Sequence, residues 1–209
     1  LYSSAASDVY KRQKGYNGGT GAAFSALDFA FGQFDLYTPL QLAQYMATIA
    51  NGGTRIAPRL VKEIHSTGKD GGIGDLETVV PTKIMNSLQV EAGLIDHIKE
   101  GLYRVTHGQN GTSAYTFRNY TPSVSGKTGT VEAFYDGPLP QFKQKEVENS
   151  TFASYAPSDN PEIVVSVVAP YFSNGIPGDF AAGITKQVYD AYFHQESSTS
   201  STNSTTTNG

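Results

Sequence analysis

Cysteine and tryptophan are absent from the 209 residues, and methionine occurs only twice. Without cysteine there are no disulfides and no thiolate metal sites, so cysteine usage leaves the compartment open. Charge is sparse as well: 16% of the residues are charged, the formal net charge is -4, and no long basic run exists. That excludes the electrostatic footprint of a nucleic-acid-binding surface. No apolar run approaches the roughly 20 residues of a membrane-spanning helix, and no stretch has the pattern of a signal peptide. The four histidines, His65, His97, His107 and His194, are scattered without an H-x-x-x-H pairing, and read as structural residues. Asn110, Asn119, Asn149 and Asn203 each open an N-x-[ST] triplet, which a chain this rich in Ser, Thr and Asn produces by chance.

What is present is enough for one globular domain with a real core, since 38% of the residues are hydrophobic. The most informative stretch is Ser125-Gly126-Lys127-Thr128-Gly129-Thr130. Lys127 supplies a fixed positive charge, and the hydroxyls of Thr128 and Thr130 can donate directed hydrogen bonds to a carboxylate. Gly126 and Gly129 lack a β-carbon, so a ligand backbone can approach the strand closely.

A phosphate loop, G-x-x-x-x-G-K-[ST], is one device with similar letters. Its first glycine would fall on Thr121, Pro122 removes a needed N–H, and Gly137-Pro138 breaks the helix that should follow. The other device is a K-T-G strand. The extended form Ser-Gly-Lys-Thr-Gly-Thr-Val-Glu resembles the active-site strand of the penicillin-binding transpeptidases, which share K-T-G with serine β-lactamases.

Taken in order, residues 1–13 have no clear periodicity and read as a non-native or disordered leader; residues 14–26 read as a loop. Thr38-Pro39-Leu40-Gln41 is a capping box with proline in the first helical position. Leu42, Tyr45, Met46 and Ile49 follow at helical spacing, and Asn51-Gly52-Gly53 ends the helix. Residues 56–64 suggest a short extended piece before a glycine-rich loop, Gly68–Gly74, and Pro81-Thr82 suggests a short helix start. Ile95, Ile98, Leu102 and Val105 predict a helix stopped near Gly108. Beyond the Lys127 strand, residues 136–149 read as a loop, with strands predicted at Thr151–Ala156 and Glu162–Ala169 around a turn at Pro157–Pro161. Asp179 is placed to cap a last helix in which Phe180, Ile184, Val188 and Tyr192 share a face, and the Ser/Thr/Asn-rich residues 195–209 read as a disordered tail. This order predicts an α+β fold: an antiparallel sheet needing a helix layer.

A second motif strengthens the resemblance. Gly32-Gln33, Thr38–Ala43 and Ile49–Gly53 match a segment that the transpeptidases carry between their S-x-N and K-T-G elements. The likeness extends over about residues 15–194, and is nearest to the class B, monofunctional enzymes of Gram-positive bacteria that serve cell elongation. Phe31–Asp35 and Tyr155–Pro161 look like theirs. It implies the family's fold, an antiparallel sheet with helices on both faces, of which residues 14–194 are the carboxy-terminal part.

Two decoys complete the reading. Ser66-Thr67-Gly68-Lys69 spells the nucleophile motif S-x-x-K, but follows the Thr38 helix instead of preceding it, and contains a helix-disfavouring glycine. Ser158-Asp159-Asn160 spells S-x-N, but follows Lys127 and lies between prolines. Neither fits, so the nucleophile is expected upstream of residue 1, and this chain alone is expected to be inactive. The resemblance implies a D,D-transpeptidase that cross-links peptidoglycan stem peptides ending in D-Ala-D-Ala and is acylated by β-lactams. It gives Lys127 and Thr130 catalytic roles and makes Thr128, Gly129 and Thr130 substrate-binding, the two threonines holding the substrate carboxylate. It implies no cofactor or metal, partners in the cell-elongation machinery, and a place on the extracytoplasmic membrane face through an anchor elsewhere in the polypeptide. A β-lactamase, or a β-lactam-sensing or wall-binding module without turnover, shares enough of these features to stand as the alternative.

Overall fold

The structure is a computed structural model that describes residues 37–135, 137–172 and 179–200. The leader, the Gly32-Gln33 pair and residues 201–209 of the tail lie outside the described residues.

Helix α1, Pro39–Ala50, begins as its sequence dictates. The Gln41 backbone N–H donates to Thr38 Oγ1 at 3.2 Å, and the Thr38 N–H donates to Gln41 Oε1 at 2.9 Å, closing the capping box. At the other end the chain turns through Gly52 and Gly53, at φ +84° and +103°, with the Gly53 N–H donating to the Thr48 carbonyl at 2.7 Å. Met46 and Ile49 are buried, whereas Tyr45 stays exposed.

Residues 54–87 form two small antiparallel ribbons. Strand β1, Thr54–Ile56, pairs with β4, Ile84–Ser87; β2, Glu63–Thr67, pairs with β3, Ile73–Val79. The extended piece expected at 56–64 is thus two strands flanking an irregular stretch. The helix start expected at Pro81-Thr82 is not formed, because the next residues pair with β1. The glycine-rich run is the turn of the β2–β3 hairpin, with Gly71 at φ +81°.

Helix α2, Leu94–His107, presents Ile98 and Leu102 to the core and stops at Gly108 as predicted. After a four-residue helix α3, Ala114–Phe117, comes the main sheet. It has three antiparallel strands in the order β5–β6–β7: Ser125–Phe134, Glu146–Ala156 and Ile163–Phe172. Strand β6 begins earlier than expected, because Glu146–Asn149 pair with the outer half of β5, Val131–Phe134. The irregular connection is confined to the residues between, including a 3-10 turn at Pro140–Phe142.

Helices cover both faces of this sheet, as the fold class requires. On one face Met46, Ile49 and Ala50 of α1 and Leu102 of α2 enclose Tyr155. On the other, Phe117, Val124, Phe152, Ala156 and Val165 pack against Ala181, Ala182 and Tyr189 of α4, Phe180–Ser200. The alternation of Phe152 and Tyr155 between faces follows from the two-residue period of a strand. Each fully buried large side chain contributes about 1.5–3 kcal/mol of burial.

Two expectations for α4 are corrected. Phe180, Val188 and Tyr192 do share a stripe, but it is the outer one, each about 40% exposed. The sheet side is taken by Ala181, Ala182, Thr185 and Tyr189, small residues that admit close approach plus one long ring. The helix also runs on to Ser200, past the point where the tail was expected to begin. Gln195 and Glu196 are good helix formers, and extending a formed helix needs no new nucleation.

Candidate active site

Strand β5 carries the Ser-Gly-Lys-Thr-Gly-Thr run at one edge of the sheet. Its inner side pairs with β6 in continuous register from Ser125 opposite Tyr155 to Phe134 opposite Glu146. Its outer side meets no strand among the described residues. An edge strand turns the N–H and C=O of alternate residues away from its neighbour, where an extended peptide can pair with them.

The base of the strand is held firmly. Ser125 is buried, and its hydroxyl donates to Ser158 Oγ at 2.9 Å. The Ser158 N–H donates in turn to the Ser123 carbonyl at 2.9 Å. The second decoy is therefore a brace: the β6–β7 turn clamps the start of β5, and Asp159 and Asn160 are exposed. The first decoy is excluded by geometry, since Ser66 and Thr67 end β2 and Lys69 sits in the hairpin turn. From the other side the Thr106 hydroxyl, fully buried, donates to the Val124 carbonyl at 2.5 Å and ties α2 to the strand's entry.

Lys127 is exposed, and its ammonium donates to the Thr128 carbonyl at 2.7 Å. Thr128 is half-buried, with its hydroxyl 2.9 Å from that of Thr112. Thr130, two residues on and therefore on the same face as Thr128, is exposed. The strand thus presents one cation, two hydroxyls and an unpaired backbone edge within four consecutive residues, a combination suited to a carboxylate-ended peptide.

The glycines have a reason that the sequence did not disclose. A β-carbon on Gly126 would lie 2.6 Å from Phe152 Cζ and 2.8 Å from Ser154 Cβ, inside the core under α4. One on Gly129 would collide with Thr151 Oγ1, whose hydroxyl donates to the Gly129 carbonyl at 3.2 Å. Packing against β6 demands Gly126 whatever approaches the outer edge, whereas a β-carbon at Gly129 would displace only the Thr151 hydroxyl. Thr106, Thr112 and Ser158 were missed by sequence reasoning, because nothing in their local sequence marks contacts made 16 to 33 residues away.

Near the strand's entry His107 stacks on Tyr103 with ring centroids 4.3 Å apart. Burial holds its imidazole below the usual histidine range, favouring the neutral ring. No helix among the described residues is long and apolar enough to cross a membrane.

Comparison with known proteins agrees with this arrangement. The family described as "Penicillin binding protein transpeptidase domain" matches residues 5–190. Penicillin-binding protein 2A of Bacillus subtilis is 38% identical over 91% of this chain and 26% of its own length. Penicillin-binding protein 2B of Streptococcus pneumoniae is 42% identical over 78% of this chain and 23% of its own. A solved structure of penicillin-binding protein 2B from Streptococcus pneumoniae strain R6, 36% identical, superposes with a TM-score of 0.68 over 85% of this chain and 28% of that one. Peptidoglycan D,D-transpeptidase MrdA of Haemophilus influenzae is 30% identical over 76% of this chain and 24% of its own length. This chain spans about a quarter of the length of these relatives. It belongs to the penicillin-binding protein transpeptidase family and stands with the class B penicillin-binding proteins.

Proposed function

We propose that this chain is the carboxy-terminal part of a D,D-transpeptidase domain and forms the ligand-holding wall of an acyl-transfer site. The single observation that carries the reading is β5 itself: Lys127, Thr128 and Thr130 stand on an edge strand whose entry is braced from two sides. A stem peptide ending in D-Ala-D-Ala would add to that edge as a further strand. Thr128 and Thr130 would hold its terminal carboxylate, with Gly129 keeping the wall flat between them. Lys127 would supply positive potential and polarise the proton network, and the Thr130 N–H would serve as one oxyanion donor.

The chemistry is a two-step transfer. A serine hydroxyl attacks the carbonyl of the D-Ala–D-Ala amide; the acyl–oxygen bond forms, the amide C–N bond breaks, and the serine proton leaves on the amine of the last D-Ala. An amine of a neighbouring stem then attacks the ester, forming the cross-link and returning the proton to the serine. Neither Ser66 nor Ser158 is placed for this role, so the serine is assigned to a part of the polypeptide outside the described residues. A β-lactam, with its own carboxylate, would occupy the same wall and acylate the same serine. The likeness to MrdA, named a peptidoglycan D,D-transpeptidase, supports a role in peptidoglycan synthesis; its setting in cell elongation, at the extracytoplasmic face of the membrane, is part of the proposal.

The test is acylation of the complete protein by benzylpenicillin, read as intact mass. One covalent adduct per polypeptide is expected. An unmodified protein under conditions that acylate a known penicillin-binding protein would overturn the reading.

A further inference from the structure

Thr112 stands outside both transpeptidase-like motifs, at the end of the Asn110 N-x-[ST] triplet, yet its hydroxyl lies 2.9 Å from that of Thr128. The pair is built from distant segments whose backbones are held, with Thr112 itself exposed and Thr128 half-buried. Thr112 sits in the loop Gly108–Ser113, which folds back on the carboxy-terminal turn of α2. The Gly111 N–H donates to the Gly108 carbonyl at 3.1 Å, and the Ser113 N–H to the Val105 carbonyl at 3.0 Å. Gly111 packs so tightly on the Arg104 and Val105 carbonyls that a β-carbon there would overlap both. Ser113 and Ala114, which follow, are buried. Helix α2 is tied to β5 through Thr106 and Val124, so the loop and the strand form one unit.

A hydroxyl has one proton to donate and can accept as well. Where a carboxylate takes the proton of Thr128, the Thr128 oxygen is left as an acceptor, and Thr112 is the group positioned to donate to it. The two hydroxyls then run in one direction, Thr112 to Thr128 to ligand, and each bond polarises the next. Without Thr112 the Thr128 hydroxyl rotates more freely and its donated bond is weaker.

We infer that Thr112 is a positioning residue: it orients the Thr128 hydroxyl toward the carboxylate of the peptide or β-lactam that β5 receives. This rests on the function proposed above.

The test measures the second-order acylation rate constant of the complete protein with benzylpenicillin, for the wild type and for Thr112→Val, Thr112→Ser, Thr128→Val and the Thr112→Val/Thr128→Val double variant. Valine keeps the branched shape and removes only the hydroxyl. Thr112→Val is expected to slow acylation about fivefold to tenfold, the worth of one hydrogen bond between neutral hydroxyls. Thr112→Ser should restore most of the rate. In the double variant the loss should be close to that of Thr128→Val alone, because the two residues act through one donated bond. Thr112→Val acylating at the wild-type rate would overturn the inference. So would equal losses in Thr112→Val and Thr112→Ser with additive loss in the double variant, the pattern of a merely structural loop residue. A wild type that takes no label overturns the transpeptidase reading itself, and the inference falls with it.

Discussion

At the scale of single residues, a few buried polar groups do most to define the site's shape. Ser154 and Tyr189 are both fully buried, with their hydroxyls 2.7 Å apart, directly behind Gly126. Tyr189→Phe would leave the Ser154 hydroxyl without this partner, at a cost of about 1–3 kcal/mol. Burial also pushes the Tyr189 phenol well above its usual range, with the Ser154 hydrogen bond opposing weakly. Below about pH 10 the folded and unfolded chains both hold this proton, and it adds no pH dependence. Above that, the unfolded chain releases the proton while the fold retains it, so stability falls as pH rises. Denaturant midpoints should therefore decline above about pH 10, and the Tyr189→Phe variant should start lower at neutral pH but decline less steeply. Identical slopes would show that this tyrosine is not the group responsible. The glycines teach a related lesson. The sequence suggested that Gly126 and Gly129 admit a ligand, whereas Phe152 and Ser154 show that the near side of the strand already demands Gly126, and the Thr151 hydroxyl fills the space beside Gly129.

At the scale of elements, legibility tracked how local the decisive interactions are. Helix α1 could be read in full, because its capping box lies within four residues. Thr38→Ala should lower stability by about 0.5–2 kcal/mol, measured by thermal unfolding, while Thr38→Ser should change it little; equal losses in both would remove the cap from the account. Strands β1 to β4 could not be read, since their side chains are nearly all exposed and show no alternation to detect. Strand β4 exists because β1 offers it a partner some 30 residues earlier, a long-range event that local preference at Pro81-Thr82 cannot foresee. The early start of β6 has the same cause. Helix α4 was read in the right place, but the stripe the sequence picked out faces outward at Phe180, Val188 and Tyr192, and the sheet side is taken by Ala181, Ala182 and Tyr189.

At the scale of the whole molecule, the three-stranded sheet has two edges that differ in character. The β5 edge carries the lysine and threonine hydroxyls. The β7 edge belongs to a β-branched strand, Ile163-Val164-Val165-Ser166-Val167-Val168, and has no partner among the described residues. Such an edge is a template for pairing with another chain. The 209-residue chain on its own should self-associate as its concentration rises in sedimentation velocity, and Val168→Lys, at a partly exposed position of that strand, should reduce the effect. A monodisperse monomer at high concentration would count against an open edge. The broad plan followed from the order of the strands, which called for an antiparallel sheet with a helix layer, and from the resemblance carried by two motifs, which implied helices on both faces; the edge position of the Lys127 strand came from the structure. So did the braces at Thr106, Thr112 and Ser158, because they exist only once the sheet has assembled.

The most direct measurement of the central claim is the acylation rate constant of the complete protein carrying Lys127→Ala, set beside the wild type with benzylpenicillin. Lys127 is exposed, so its loss should leave thermal unfolding nearly unchanged. Removing a charge that polarises the reacting network should slow acylation by about a hundredfold or more. Acylation at the wild-type rate in a folded Lys127→Ala protein would show that β5 is an ordinary edge strand with a surface lysine, and the assignment of the site would be wrong.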